Sequence, residues 1–216
     1  MFQHYFKFHH PSPIIIVGPT QSGKTEFVIQ LLKHKDILFH PPPDRIIWAY
    51  GQKNESQLKR IAEISPIIEF HAGLPDTETL NLNPEQNNIL ILDDLMDEIA
   101  ASKSTKNLFT RESHHLNTTV IAIIHNLFNQ EKYTRTITLN THYFIIFKSP
   151  RDNRQIKHFG WQVFPNHPQF ISKAFQIATN RPYGYLCVDL RPNSIDSTRV
   201  CTGITPDEIP EIFTPI

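Results

Sequence analysis

A glycine, four residues, then Gly23-Lys24-Thr25 is a spacing that binds phosphate, and residues 18–25 read GPTQSGKT. Gly18 and Gly23 carry no Cβ, so the intervening Pro19, Thr20, Gln21 and Ser22 can wrap their backbone closely around an anion. Successive N–H groups and the N-terminus of a following helix then face it. Lys24 would reach the β- and γ-phosphates of a nucleoside triphosphate such as ATP, and the Thr25 hydroxyl would ligate Mg²⁺. The alternative is a chance glycine turn. Against it, the apolar PIIIV in front and the helix-like stretch behind supply the context the motif requires.

Such a site needs a second element, an apolar strand ending in a carboxylate that holds the magnesium shell. NILILDDLMDE supplies it, with Asp93 in that position. Asp94 stands where a neighbouring carboxylate can orient or deprotonate the attacking water. Adjacent carboxylates raise each other's pKa, and a nearby Mg²⁺ offsets this, so an ionised Asp94 is consistent with the pair. Glu98 is a weaker candidate for the base. Both Asp94 and Glu98 also suit a plain role, capping or solvating the next helix. The run TTVIAIIHN ends in His125-Asn126. An amide there, beside the phosphate loop, can hold the attacking water and sense the γ-phosphate. Asn also simply ends strands, and His125 can share the role or pack as a half-buried side chain.

These residues must be positioned by something, and the chain alternates short apolar β-rich runs with helix-like stretches. That is the pattern of a P-loop NTPase-like α/β fold, a mainly parallel sheet flanked by helices. Strands are expected at 14–17, 45–50, 67–70, 89–92, 119–125, 143–148 and 183–190, several of them apolar at consecutive positions because both faces are covered. Helices are expected at 23–35, where Phe27, Val28, Leu31 and Leu32 form one stripe, at 56–64, at 169–179 and from Ser104 to Leu116. The organisation reads as an N-terminal extension over 1–12, one ATPase domain over 13–190 and an extended or partly ordered tail over 191–216. No internal repeat or splitting linker appears.

Composition sets the outer bounds. Apolar residues make up 39% and charged residues 19% of 216, as in a globular chain. No apolar run approaches the ~20 residues of a spanning helix, so no membrane partner is expected. The start, MFQHYFKFHHPSP, lacks the apolar core of a signal peptide. Cys187 and Cys201 are too few for a disulfide scaffold, and twelve histidines show no zinc-like spacing with them. Lys plus Arg equals Asp plus Glu at 21 each, so net charge does not advertise nucleic acid. Locally, residues 131–160 carry Lys132, Arg135, Lys148, Arg151, Arg154 and Lys157 against Glu131 and Asp152. This is a basic face for phosphates or a solvated surface.

Taken together, GPTQSGKTEFV, RIIWAYG, ILDDLMDE, LFTRESHHLNTTVIAIIHNLF, RTITLNTHYFIIFKSPRD and RPYGYLCVDL closely resemble viral genome-packaging ATPases. The type is the poxvirus-like branch of the FtsK–HerA superfamily, found in Polinton/Maverick elements, adintoviruses and related double-stranded DNA viruses. The similarity runs from about Ile14 to Leu190. It implies a motor that hydrolyses ATP to push double-stranded DNA, without regard to sequence, into a preformed capsid. It also implies a homo-oligomeric ring, five- or six-membered, contacts with capsid proteins, and work in the host nucleus or a cytoplasmic factory. By position, Lys24 and Thr25 match the phosphate-loop pair, Asp93 the magnesium aspartate, Asp94 its acidic partner and Asn126 the polar sensor. An arginine finger falls first on Arg135, with Arg151 and Arg111 as rivals. One departure is His125 before Asn126, where many relatives carry Gln; it leaves the sensor open between the two. A nucleotide kinase and a nucleotide-binding virion protein without turnover are the competing functions. The tandem DD and the long strand ending in His125-Asn126 argue against the kinase.

Overall fold

The computed structural model describes residues 6–76, 78–126, 133–150 and 153–215. The chain opens with a short strand, β1 (Phe8–His9), and then β2 (Ile14–Val17). The phosphate-loop residues lead into α1 (Lys24–Lys33), followed by α2 (Lys35–Leu38), β3 (Phe39–His40), β4 (Arg45–Tyr50) and α3 (Glu55–Ala62). Next come β5 (Ile68–Ala72), β6 (Asn88–Asp93), α4 (Met96–Ala101) and α5 (Lys103–Asn107). A π-helical turn at Leu108–Glu112 joins α5 to α6 (Ser113–His115). The chain continues through β7 (Thr118–Ile124), α7 (Thr134–Asn140), β8 (Tyr143–Phe147), α8 (Asn153–Val163) and α9 (Phe170–Ala178). It ends with β9 (Tyr185–Asp189), β10 (Val200–Thr202) and β11 (Glu211–Phe213).

Nine strands form one sheet in the order β11-β10-β9-β8-β2-β7-β6-β4-β5. The six from β8 to β5 run parallel, and β9, β10 and β11 continue the sheet antiparallel. β2 lies inside it, with Ile14 opposite both Ile121 of β7 and Tyr143 of β8. Alternate residues feed two cores. Ile14, Ile16, Trp48, Ile91 and Ile123 pack with Phe27, Leu31 and Ile61 from α1 and α3. Ile15, Val17, Leu92, Ala122 and Phe144 pack on the opposite face with Ile99, Ile137, Phe159 and Ala174 from α4, α7, α8 and α9. With helices on both faces, the strands have no polar side to show, so they are written as unbroken apolar runs.

The sequence-based strands fall in place, with ends shifted by a residue or two, and the helix over 23–35 becomes α1. The helix expected from Ser104 to Leu116 forms as one unbroken helical stretch over 103–115, in which a π turn separates α5 from α6. Ser102 caps α5 by accepting the Thr105 N–H, and the Thr110 hydroxyl turns back to the Lys106 and Asn107 carbonyls. Such side-chain bonds compete with a regular ladder, and the π turn lies there. Four helices among the described residues, the short α2 with α4, α7 and α8, were not expected. α4 is six residues long, and α7 is written TRTITLN, rich in the β-branched types that weaken helix propensity. Tertiary burial of Ile137 outweighs that preference. α8 contains Gly160, where a Cβ would crowd the Pro168 carbonyl at 3.0 Å and Ile171 at 3.2 Å, so glycine lets α8 and α9 approach closely. The residues read as an extended tail carry β10 and β11, and the pairing of β10 with β9 places Cys201 opposite Cys187. Both thiols are buried, and burial pushes the Cys187 thiol well up in pKa, leaving it inert. Among the described residues no helix is long and apolar enough to cross a membrane.

Candidate functional site

The chemistry-bearing residues lie where β2, β6 and β7 end, the edge at which parallel α/β sheets hold their ligands. The loop after β2 is closed at its base by Gly18 N–H donating to the Ile124 carbonyl (3.2 Å) and at its tip by Ser22 N–H donating to Pro19 (3.2 Å). Gln21 and Gly23 both take positive φ, at 62° and 100°, so the backbone curls into a concave nest before α1 begins. Gly18 has no room for a side chain: a Cβ would lie 2.7 Å from Phe147 Cβ and 2.8 Å from Ser22 Oγ. That Ser22 hydroxyl is buried with no hydrogen-bond partner, a polar group held inside the loop and aimed at nothing the protein supplies.

Lys24, the first residue of α1, is buried. Its ammonium donates to the Gly18 carbonyl (2.7 Å) and the Pro19 carbonyl (2.9 Å). Burial lowers its pKa, and the charges of Asp93 and Asp94 push the other way. Asp93, at the end of β6, is also buried, and Gln57 of α3 donates its side-chain N–H to Oδ2 at 3.2 Å. Burial raises the Asp93 pKa, Asp94 raises it further, and Gln57 and Lys24 oppose the shift. This is a carboxylate in need of a cation.

Asp94 has a left-handed backbone, φ 56°. The strain of that turn is fixed by Gly51, which follows β4: its N–H donates to the Asp93 carbonyl at 2.9 Å, and a Cβ on it would overlap the Asp94 carbonyl oxygen. The turn throws the Asp94 carboxylate outward, 47% exposed. His125, from the end of β7, stands between Asp94 and Lys24, with Nε2 3.4 Å from Asp94 Oδ1 and Nδ1 3.5 Å from Lys24 Nζ. An ammonium can only donate, so Nδ1 accepts and Nε2 carries the hydrogen toward Asp94. Both contacts are at the long limit of hydrogen bonding, set for adjustment rather than locked.

The structure therefore brings Lys24, Asp93, Asp94 and His125 together. Asn126 points elsewhere: its Oδ1 accepts from Gln155 of α8. Glu98 is exposed on the first turn of α4. Arg135 is on the first turn of α7 with its side chain exposed. Arg111 is exposed in the π turn, and Arg151 lies outside the described residues. Sequence reasoning missed Gln57 and Gly51. The stretch GQKNESQ directly after β4 was the available signal, and only the parallel pairing of β4 with β6 shows where it points.

The donor set suits a divalent metal. Thr25 offers a hydroxyl and Asp93 a carboxylate, hard oxygen ligands of the kind Mg²⁺ takes. A cation beside them would also reverse the raised pKa of Asp93. The orphaned Ser22 hydroxyl and the nest suit the phosphates themselves.

No protein-family model matches the sequence, and no curated protein matches it. Solved structures do. The DNA-packaging ATPase B204 from Sulfolobus turreted icosahedral virus aligns over 95% of this chain and 98% of its own, with TM-score 0.53 and 12% identity. The genome-packaging NTPase B204 from Sulfolobus turreted icosahedral virus 2, in complex with sulfate, aligns over 95% and 97%, at 0.52 and 13%. The flagellar accessory protein FlaH from Methanocaldococcus jannaschii aligns over 94% and 90%, also at 0.52 and 13%. Identities this low establish shared architecture, and the chain has the P-loop NTPase fold.

Proposed function

We propose that this protein is an ATP-hydrolysing motor that drives double-stranded viral DNA into a preformed capsid. The observation that carries the reading is the convergence of Lys24, Asp93, Asp94 and His125 on the mouth of the phosphate loop. Two packaging ATPases share the architecture over nearly their whole length, which supports the choice of packaging among P-loop functions. The quoted motifs support its finer placement in the Polinton and adintovirus type.

In the proposed reaction the nest and the Lys24 ammonium bind the β- and γ-phosphates, Lys24 exchanging the Gly18 and Pro19 carbonyls for phosphate oxygens. Thr25 and Asp93 would hold Mg²⁺, which neutralises charge on those oxygens when bound. Asp94 accepts a proton from water as the water oxygen bonds to the γ-phosphorus and the bond to the ADP oxygen breaks. His125 Nε2–H holds the Asp94 carboxylate in place, and its Nδ1 follows Lys24, so one ring links phosphate contact to the base. Asn126, joined to α8 through Gln155, is placed to pass the change to that helix. Arg135 is proposed to act on a neighbouring subunit's ATP within a homo-oligomeric ring. Double-stranded DNA, read through its backbone and not its bases, and capsid proteins are the proposed partners, with the host nucleus as the place of work.

The deciding experiment measures ATP hydrolysis by the full chain with and without duplex DNA. Hydrolysis stimulated by DNA of any sequence supports the motor. Phosphate transfer to a nucleoside acceptor would make it a kinase, and tight ATP binding without turnover in either condition would make it a nucleotide-gated assembly protein.

A further inference from the structure

Beside the phosphate loop lies a cavity of about 610 Å³ that the proposed phosphate chemistry does not use. It begins at Gly23, the last residue of the loop, and its floor is aromatic. Phe27, Phe147 and Tyr185 are buried with ring centroids 4.7 to 5.7 Å apart. Its wall is Thr205 and Glu208, from the chain after β10. Glu208 is spoken for: Tyr185 and Thr205 hydroxyls donate to Oε2, and Arg181 donates to Oε1 at 2.9 Å. The wall is thus a fixed structure, not a loose rim.

Over the mouth stands Tyr183. Its ring meets Gly23 closely enough that a Cβ there would lie 3.0 Å from Tyr183 Cδ1. The side chain is 69% exposed, an uncommon position for a large aromatic with no ring partner among the described residues. Its backbone is left-handed, φ 58°, a conformation that a bulky residue adopts only under constraint. The next residue, Gly184, is packed so tightly that a Cβ would lie 2.5 Å from the Ala178 carbonyl, which holds the turn in shape. A strained turn that presents a bare aromatic face beside a phosphate nest asks for a ligand with phosphate at one end and a flat ring at the other.

We propose that Tyr183 is the stacking platform for the purine base of the nucleotide, and that the aromatic-floored cavity beside Gly23 holds that base. The proposal rests on the phosphate-loop reading above and adds to it the recognition of the base. Stacking is indifferent to the base's edge, so it favours purines over pyrimidines by area of contact and leaves the phosphate grip unaltered.

The test is calorimetric titration of the full chain with Mg²⁺ and either a non-hydrolysable ATP analogue or inorganic tripolyphosphate. Tyr183→Ala should weaken the ATP analogue about tenfold or more while tripolyphosphate binds as before. Tyr183→Phe should behave as the parent. Tyr183→Gly keeps the left-handed backbone without strain, so it should lose the same affinity with no loss in melting temperature. Equal weakening of both ligands in Tyr183→Ala would make the ring a mere prop for Gly23 and overturn the proposal, as would no change in either. A parent protein that binds tripolyphosphate and the analogue equally would remove the base site and spare the phosphate loop. Binding of neither ligand to the parent would end both readings.

Discussion

The backbone of Gly51 and the backbone of Asp94 occupy space that only a glycine can share: a β-carbon on Gly51 would overlap the Asp94 carbonyl oxygen. One strand end thereby sets the left-handed turn that aims the proposed base on another. Gly51→Ala should destabilise the fold by about 1–3 kcal/mol, as overpacking does, and should also cut ATP turnover by displacing Asp94. Thermal melts and steady-state turnover measured on the same preparation check this. A variant that melts lower and turns over normally would separate the turn from the chemistry.

Asp93 is held in the fold at a cost. Burial and the neighbouring Asp94 raise its pKa above the ordinary 3.8, so between that value and the raised one the folded state keeps a proton that the unfolded chain has released. Stability contributed through this group is lost as pH rises from that ordinary value through the raised one. Asp93→Asn should therefore be more stable than the parent in metal-free buffer near neutrality. The gap should close as the pH is lowered into the acid range, where the parent's carboxyl is neutral too. The same variant should lose Mg²⁺-dependent nucleotide binding. Melting temperatures across pH, with and without Mg²⁺, check both halves.

Lys24 and Asp94 are expected to fail differently. Lys24→Ala removes the charge that faces the phosphates and should abolish productive ATP binding. Asp94→Asn should keep binding and lower turnover by about 10²–10⁴. Near-normal turnover in Asp94→Asn would move the base to another carboxylate, with Glu98 next in line.

The two candidates for the sensor can be told apart because the structure points them in different directions. His125→Ala breaks the link between Lys24 and Asp94 and should lower turnover far more than ATP affinity. Asn126→Ala leaves that link intact and removes the Gln155 contact, so it should retain basal hydrolysis and lose part of any stimulation by DNA. Single-turnover rates in the presence and absence of duplex DNA distinguish the outcomes.

Arg135 is expected to act across a subunit boundary. Lys24→Ala and Arg135→Ala, each inactive alone, should regain partial activity when mixed at ring-forming concentrations, because some interfaces then pair an intact loop with an intact arginine. An arginine so delivered is worth about 10³–10⁵ in rate. Normal hydrolysis by Arg135→Ala in assembled rings, or mixtures that stay inactive although both variants assemble, would count against it.

Much of this architecture was legible before any coordinates, for physical reasons that differ by element. The parallel strands announce themselves because burial on two faces admits no polar position, and IIIV, NILILD and TTVIAII leave no doubt about class. The phosphate loop is legible because its glycines serve the backbone and not a partner. α7 was illegible because TRTITLN has the local preferences of a strand and is helical only through the burial of Ile137. Gln57 and Gly51 escaped notice because their meaning lies in the neighbouring strand: Tyr50 pairs with Asp93 across a gap in sequence that no local pattern spans. The orientation of Asn126 toward Gln155, and of His125 toward Asp94, depends on side-chain contacts that sequence does not encode at short range.

The interior position of β2 has a consequence for how the protein comes into being. Ile14 has its lateral neighbours in Ile121 and Tyr143, so both strands that pair with the one carrying the phosphate loop are made much later. Pairings so distant along the chain are slow to form, because the entropy of closing the intervening loop is lost before any contact repays it. On the ribosome, the loop emerges before β7 and β8 and must wait for both. A chain truncated before β8 therefore bears all of GPTQSGKT without one of the two strands that flank it, and nucleotide binding is expected to mark a sheet assembled through β8.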